Sequence, residues 1–530
     1  MTIGSRFQPD IVEKRYDVIV IGSGISGLTV ASFQARQGRS VLVLEKHYTA
    51  GGATHTYRRR GFEGDSGLHY LGQVHDKGNG LRKIFDFISG EQLSFAPMAD
   101  EYDRLVYPDK SYSLRAGPEN FREELERHFP AERRAIAAYL KLLPSVSKAL
   151  EYRAMRKGLP PALGFFAGLF EKKRYFAAST FSVLRSLTSD ERLISVLAGQ
   201  WGDYGLPPKR SSFGAHAAVA HHYLSGGSFP RGGSSEVART IVASIEANGG
   251  KVVVNKGVAR VLVRKGVAVG VELESGETIL GKKVVSSAGI LNTYHRLVDR
   301  EWVPPRVADK ISRLRPSLSF LTLTLGIRRD ASCLSSHPGG NLWVHPGYNH
   351  DENLARYLRD PRGNPPPLCY IGFPSLKDPT WKDRMGETTV IHVMGVADYA
   401  WFKPWIGTKA GERGDDYMEA KEALTRPYRA TLYRMFPQLE GQAAFQETSS
   451  PLTVDSYLNT RSGEQYGLEY SSERFQDDWI APRTSIRGFY LTGQDTLMNG
   501  IAGAMMSGVV TSMAMEPWAT CSQLRAIRYL

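Results

Sequence analysis

Six residues constrain this chain more than any others: Gly22-Ser23-Gly24-Ile25-Ser26-Gly27. An apolar run, Val18-Ile19-Val20-Ile21, leads into them, and a pattern of small and apolar residues follows, roughly Leu28 to Gln37. A second apolar run, Val41-Leu42-Val43-Leu44, ends on Glu45. The order is strand, glycine turn, helix, strand, acid. It is a device for holding the pyrophosphate of a dinucleotide. Gly22 allows a tight turn, Gly24 lets backbone approach the phosphates, and Gly27 lets the helix pack closely on the sheet. The helix N-terminus offers unpaired N–H groups, and Glu45 offers an acceptor to a ribose hydroxyl.

Other segments favour FAD over NAD. Ala50-Gly51-Gly52 follows the acid and lets backbone reach the pyrophosphate from its other side. Gly64-Asp65-Ser66-Gly67-Leu68-His69-Tyr70-Leu71-Gly72 is punctuated by glycine, as a segment lying over a flat ring would be. Near the far end, Tyr490-Leu491-Thr492-Gly493-Gln494-Asp495 reads as strand, glycine, acid and runs into the glycine-rich start of an apolar helix, Gly500 to Met515. That helix N-terminus is suited to negative charge on a reduced flavin.

Length and charge bound the rest. A chain of 530 residues exceeds one ordinary core, so two packed domains are expected. The net charge of +13 suits an anionic surface. No compact basic and aromatic module points to nucleic acid, so a membrane surface is the better partner. Cys333, Cys369 and Cys521 are far apart, giving neither a disulfide framework nor a local zinc motif. A cytoplasmic setting, with membrane association open, is the expectation. Residues 1–15 read as a flexible lead and 118–150 as helical in pattern. Residues 103–115, 240–290, 318–327 and 389–397 read as strands and turns, and 415–435 as a helix. His216, His221 and His222 lie on a helix of small residues without a companion acid at metal-binding spacing. A substrate tunnel lining is expected there, with no metal. Residues 158–176 stand apart, because Leu163, Phe165, Phe166, Leu169 and Phe170 precede Lys172-Lys173-Arg174. Two readings stand: a membrane-interface segment, or a helical hairpin buried in the second domain.

Asp17 to Gly27, Glu45 to Gly52, Asp65 to Gly72, Gly226 to Glu236, Pro451 to Gly467 and Tyr490 to Gly508 resemble the phytoene desaturase and carotenoid isomerase group of flavoproteins. The resemblance implies an α/β fold: a Rossmann-type FAD-binding domain (16–100, 226–295 and 480–516) interleaved with a substrate domain of mixed sheet and helices (101–225 and 296–479). It implies that Gly22, Ser23, Gly24, Ser26 and Gly27 hold the pyrophosphate and Glu45, with Lys46 beside it, the ribose. Gly51 and Gly52 continue that site. Val258 meets the adenine, Gly493 and Asp495 lie near the phosphates or ribityl chain, and Ile501 lies near the ring. Ala53-Thr54 departs from the wider amine-oxidase pattern, which places arginine there, so one pyrophosphate contact is expected from elsewhere. The implied chemistry is saturation, ahead of desaturation, of a double bond in a retinoid- or carotenoid-like lipid. Redox-neutral isomerisation is the alternative, and a non-catalytic escort on the same fold is a third reading, opposed by the intact glycines, Glu45 and Asp495. No second dinucleotide fingerprint occurs, so the electron partner is a nicotinamide docking at the flavin, a quinone, oxygen or a protein. Saturating an alkene also needs a proton donor in a dry cavity. His69, Tyr70 and Tyr466 are the candidates.

Overall fold

The structure is a computed structural model, and it describes residues 2–529 apart from 9, 14, 335, 336 and 338. Two seven-stranded sheets organise it. In the first, Tyr16–Ile21 lies between Val41–Leu44 and Thr278–Ser286, parallel to both, with Ile19 opposite Leu42 and Val284. Lys251–Val253 extends one side, and Phe489–Leu491, from the far end of the chain, joins Thr278–Ser286 in parallel. These strands are apolar along their length because both faces are covered: Val18, Val20, Val41 and Val43 pack with helix residues Leu28, Ala31 and Ile241, and Ile19, Ile21, Leu42 and Leu44 with Val261, Val271 and Leu273 of the antiparallel strands. The first half of Thr278–Ser286 pairs antiparallel with Val267–Leu273, which pairs with Val258–Arg264.

The second sheet runs in the order 443–449, 319–327, 389–397, 369–372, 341–344, 101–106, 111–115. Its pairs are antiparallel except for Asn341–Val344 with Glu101–Val106. A three-stranded ribbon of Leu71–Gly72, Gly227–Pro230 and Phe95–Pro97 forms a separate small sheet. Around the second sheet lies the largest apolar core, which includes Tyr102, Leu105, Trp201, Ile371 and Tyr428.

Several expectations need correction or refinement. The N-terminal lead is tied down: Ser5 pairs with Val253 at the sheet edge, Ile3 N donates to Thr49 Oγ1 at 3.0 Å, and Asp10–Glu13 is a helical turn. The 118–150 stretch is two helices, Pro118–His128 and Arg133–Gly158. Phe129 breaks it, held at φ −129° and ψ 64° by the proline that follows. The glycine-turn helix starts earlier than the pattern indicated, at Ile25, and runs to Ala35.

Residues 158–176 do not form a buried hairpin. Helix Pro161–Gly168 folds back onto the end of Arg133–Gly158, where Gly164 sits so close that a Cβ would lie 2.6 Å from Arg156 O. The turn is held by Glu171, fully buried, which accepts from Arg153 at 3.0 Å and Arg156 at 2.8 Å. Asp478 binds Arg153 at 2.6 Å and Lys157 at 2.8 Å, and also bonds Arg156. On this anchored base Phe165, Phe166, Leu169 and Phe170 stand 59–66% exposed.

Candidate active site

The site is built at the carboxyl ends of the parallel strands, where open α/β sheets bind their ligands. Gly22 has φ +90°, and a Cβ there would lie 2.7 Å from Ser287 Oγ. At Gly27 a Cβ would come 2.4 Å from Gly22 O. At Gly24 it would meet nothing within 4 Å, which leaves open space at the start of Ile25–Ala35. That helix has no side-chain cap, so its first N–H groups face the space. Glu45 closes one side. Its Oε2 accepts from Ser23 N at 2.8 Å and Ser23 Oγ at 2.6 Å, and its Oε1 from His47 N at 2.7 Å. Ser23 Oγ in turn accepts from Gly51 N at 3.1 Å, drawing the second glycine pair against the first.

The C-terminal segment completes the cradle. Asp495 is buried and accepts from Ile290 N at 2.9 Å and Leu468 N at 2.8 Å. Gly493, at φ +113°, faces Ser26 Oγ, and Gly508 packs against Ser26 O and Thr29. Gly22, Ser23, Gly24, Ser26, Gly27, Glu45, Gly51, Gly52, Gly493 and Asp495 therefore converge. Lys46 does not point inward; it makes an exposed ion pair with Glu274 at 2.8 Å. Val258 lies beyond Lys256, whose N donates to Glu45 O at 2.8 Å. An open glycine cradle with an uncapped helix end and an acid at the end of the second strand fits FAD.

Beside the cradle is a cavity of about 590 Å³. Its wall includes His69, Tyr70, Tyr466, Met498, Ile501 and Met506. Gly500–Met515 begins at this cavity without a side-chain cap. Helix Phe213–Tyr223 lines it with Ala218, Val219, His221 and His222, as expected of a tunnel wall, and helix Arg133–Gly158 with Leu150, Ala154 and Met155. His216 lies deeper, its two ring nitrogens 2.9 Å from Tyr139 Oη and 3.1 Å from Tyr204 Oη. A second cavity of about 330 Å³ includes His47, Tyr57, Asp65 and Tyr457 in its wall and shares His69 with the first.

The three proton-donor candidates all line the larger cavity but differ in state. Burial, with the nearby His392 and Lys377, holds His69 well below the ordinary imidazole range, so it is neutral. Tyr466 packs over Gly205, where a Cβ would come 3.0 Å from the ring. Tyr70 stacks on Tyr223 at 4.2 Å, and its hydroxyl lies between two carboxyls, Asp103 at 2.9 Å and Asp203 at 3.1 Å. Burial raises Asp103 to about 7 against the hydrogen bonds from Asn341 and Tyr70. Burial and the charge of Asp103 raise Asp203 well above the carboxylate range. Lys377 donates to His69 O at 3.0 Å and lies 5.5 Å from the Tyr70 ring. Burial lowers it to about 8 against the pull of Asp103, Asp65 and Asp203. Sequence reasoning missed Asp103, Asp203 and Lys377. The available signal was Asp203 within Trp201-Gly202-Asp203-Tyr204-Gly205, an acid in an otherwise apolar run.

Strand, glycine turn, helix and acid, completed by a distant glycine and acid, define a dinucleotide-binding flavoprotein. Residues 25–388 match the family described as flavin-containing amine oxidoreductase. All-trans-retinol 13,14-reductase of Homo sapiens is 34% identical, over 96% of this chain and 87% of its own. A Danio rerio relative at 32%, over 94% and 85%, is named an inactive all-trans-retinol 13,14-reductase. Prolycopene isomerase 1 of an Oncidium hybrid is 24% identical, over 94% and 83%. Among solved structures, an oxidoreductase from Methanosarcina mazei superposes with a TM-score of 0.60 at 16% identity, over 94% of this chain and 99% of its own. The chain belongs to the flavin-containing amine oxidoreductase family and, within it, to the family of the all-trans-retinol 13,14-reductases. It is an FAD-dependent oxidoreductase.

Proposed function

We propose that this protein saturates a carbon–carbon double bond of a retinoid- or carotenoid-like polyene. The observation that carries the reading is the roomy, largely apolar cavity beside the glycine cradle, its wall supplied by Met498, Ile501, Met506 and Val510 of the segment that follows Asp495. The extent of similarity to the retinol reductases supports the same substrate class. Bound FAD, in its reduced form, supplies hydride chemistry. The chain's own residues then have three tasks. Apolar walls align the alkene and exclude water, the uncapped start of Gly500–Met515 would stabilise negative charge on a bound cofactor, and a cavity acid supplies the proton.

We further propose that segments 16–100, 226–295 and 480–516 form the cofactor unit and 101–225 with 296–479 the lipid-facing unit. Every strand of the largely parallel sheet comes from the first set and every strand of the second sheet from the other, which supports that division. Among the described residues no helix is long and apolar enough to cross a membrane. The exposed aromatic knob beside Lys172, Lys173 and Arg174 supports docking on an anionic bilayer surface. The knob follows directly on Arg133–Gly158, the helix that also walls the cavity.

The test is incubation of photoreduced, FAD-loaded protein with all-trans-retinol and a panel of carotenoid polyenes, followed by product mass. A gain of two hydrogens supports reduction. Unchanged mass with altered retention replaces reduction with isomerisation. Purified protein without flavin absorption, even after FAD is added, sinks both.

A further inference from the structure

The row Asp103, Tyr70, Asp203 poses a question of proton count. Tyr70 Oη is within hydrogen-bonding distance of Asp103 Oδ2 and of Asp203 Oδ2, at 2.9 and 3.1 Å. A phenol has one proton and cannot donate to two carboxylates at once. One of the carboxyls must therefore carry its own proton and donate it to Tyr70. Asp103 is placed to hold charge, since it also accepts from Gln200 Nε2 at 2.6 Å and Asn341 Nδ2 at 2.7 Å. Asp203 has no comparable support. Among the described residues Tyr70 is the side chain hydrogen-bonded to its carboxyl, and Asn499 Nδ2 donates to its backbone oxygen at 2.6 Å. The order that satisfies every partner is Asp203 O–H to Tyr70, and Tyr70 O–H to the Asp103 carboxylate.

Asp203 also lines the large cavity, whereas Asp103 is fully buried behind it. We propose that Asp203 is a neutral carboxylic acid and delivers the proton to the substrate double bond, with Tyr70 and Asp103 as its positioning residues. This rests on the reduction reading above. The charged and titratable groups facing it are Asp103, Lys377 and the tyrosines Tyr70, Tyr102, Tyr204, Tyr223, Tyr370 and Tyr466. Burial and the Asp103 charge favour its protonated form, and the Tyr70 hydrogen bond and then the Lys377 charge oppose them. The earlier candidates fit less well: His69 is neutral, and the Tyr70 proton is committed to Asp103.

The step balances. The Asp203 O–H bond breaks as a C–H bond forms at one alkene carbon, and the neighbouring carbon would take its hydrogen as hydride from bound, reduced FAD. The alkene is reduced by two electrons and the flavin oxidised by two. The Asp203 carboxylate recovers its proton from water as product leaves.

The experiment combines infrared spectroscopy with turnover by FAD-loaded wild type, D203N, D203E and Y70F. At about pH 7, well above the ordinary aspartate value of about 3.9, wild type should show a protonated-carboxyl band that D203N lacks and Y70F shifts. D203N should keep its flavin absorption and lose about 100-fold or more in turnover, and D203E should recover part of it. If D203N is not obtained folded, the Y70F shift decides. Identical carboxyl bands in wild type and Y70F, or D203N turnover within about threefold of wild type, overturns the proposal. A wild type that reduces no polyene sinks the substrate reading and the donor role with it. An ionised Asp203 in a protein that does reduce the polyene sinks the proton assignment alone.

Discussion

Replacing Phe165 and Phe166 together by serine removes half of the exposed aromatic knob, and its effect can be sized. These side chains are 66% and 62% exposed. Full burial of a phenylalanine contributes about 1.5–3 kcal/mol, so each has roughly 1–2 kcal/mol still to gain from entering an apolar phase. A bilayer interface covers the tip of the knob rather than all of it. We therefore expect the pair to contribute about 2 kcal/mol, or roughly 30-fold in membrane partition. Lys172, Lys173 and Arg174 add about 1 kcal/mol each on an anionic surface, an attraction that salt screens. The assay is flotation with vesicles of anionic and of zwitterionic lipid at two salt concentrations. Wild type should bind anionic vesicles, and F165S/F166S about 30-fold more weakly. The double variant should unfold within about 0.5 kcal/mol per site of wild type, because nothing buried is lost. Equal flotation of the two proteins would refute the reasoning.

Three further outcomes follow from the geometry. Gly27→Ala forces a Cβ into Gly22 O at 2.4 Å, so the variant should purify without flavin absorption and melt earlier; a yellow, normally stable G27A contradicts the cradle. Asp478→Asn leaves Arg153 and Arg156 with Glu171 as their remaining acid and Lys157 with only the carbonyls of Ile480 and Thr496, and removing one partner of a buried ionic cluster costs about 3–5 kcal/mol, so denaturant unfolding should shift strongly while the K157M/D478L double substitution recovers part of the loss. Asp65 is held at about 7, chiefly by burial. A raised carboxyl contributes stability that is complete below the unfolded value of about 3.9 and is lost as pH rises through about 7, at about 1.4 kcal/mol per pH unit. D65N should therefore gain on wild type in thermal unfolding between about pH 4 and 7, and a pH-independent difference would show that Asp65 is already ionised.

The cofactor cradle was legible because its signals are local. Strand, turn, helix and acid occupy residues 18–45, and Gly493-Gln494-Asp495 repeats the strand, glycine, acid logic. Their physical requirements, positive φ at Gly22 and contact distance at Gly27, leave glycine as the residue that fits. The acid chemistry was not legible, because Asp103, Asp203 and Lys377 belong to three elements far apart in sequence. Asp103 reads as one polar residue in a strand, and Lys377 as a surface cation. Burial turns both into cavity chemistry, and burial is set by how the second sheet packs. Phe165 and its neighbours were ambiguous for a similar reason. Composition shows an apolar segment beside cations, but the backbone contact at Gly164 and the Glu171 anchor decide that the rings face outward.

The cofactor sheet takes strands from both ends of the chain, and this fixes when the protein becomes functional during its synthesis. Glu45 and the glycine turn emerge early, but Phe489–Leu491, Asp495 and the helix that packs against Ser26 and Thr29 come more than 400 residues later. At about 5–20 residues per second, that separation is on the order of 20–90 s. Throughout this interval helix Ile25–Ala35 lacks its cover, and once Thr278–Ser286 is made, the side that later pairs with Phe489–Leu491 lacks its neighbour. The nascent chain therefore passes through a stage at which the dinucleotide turn exists and the FAD site does not. Loss of the last 40 residues would arrest it there.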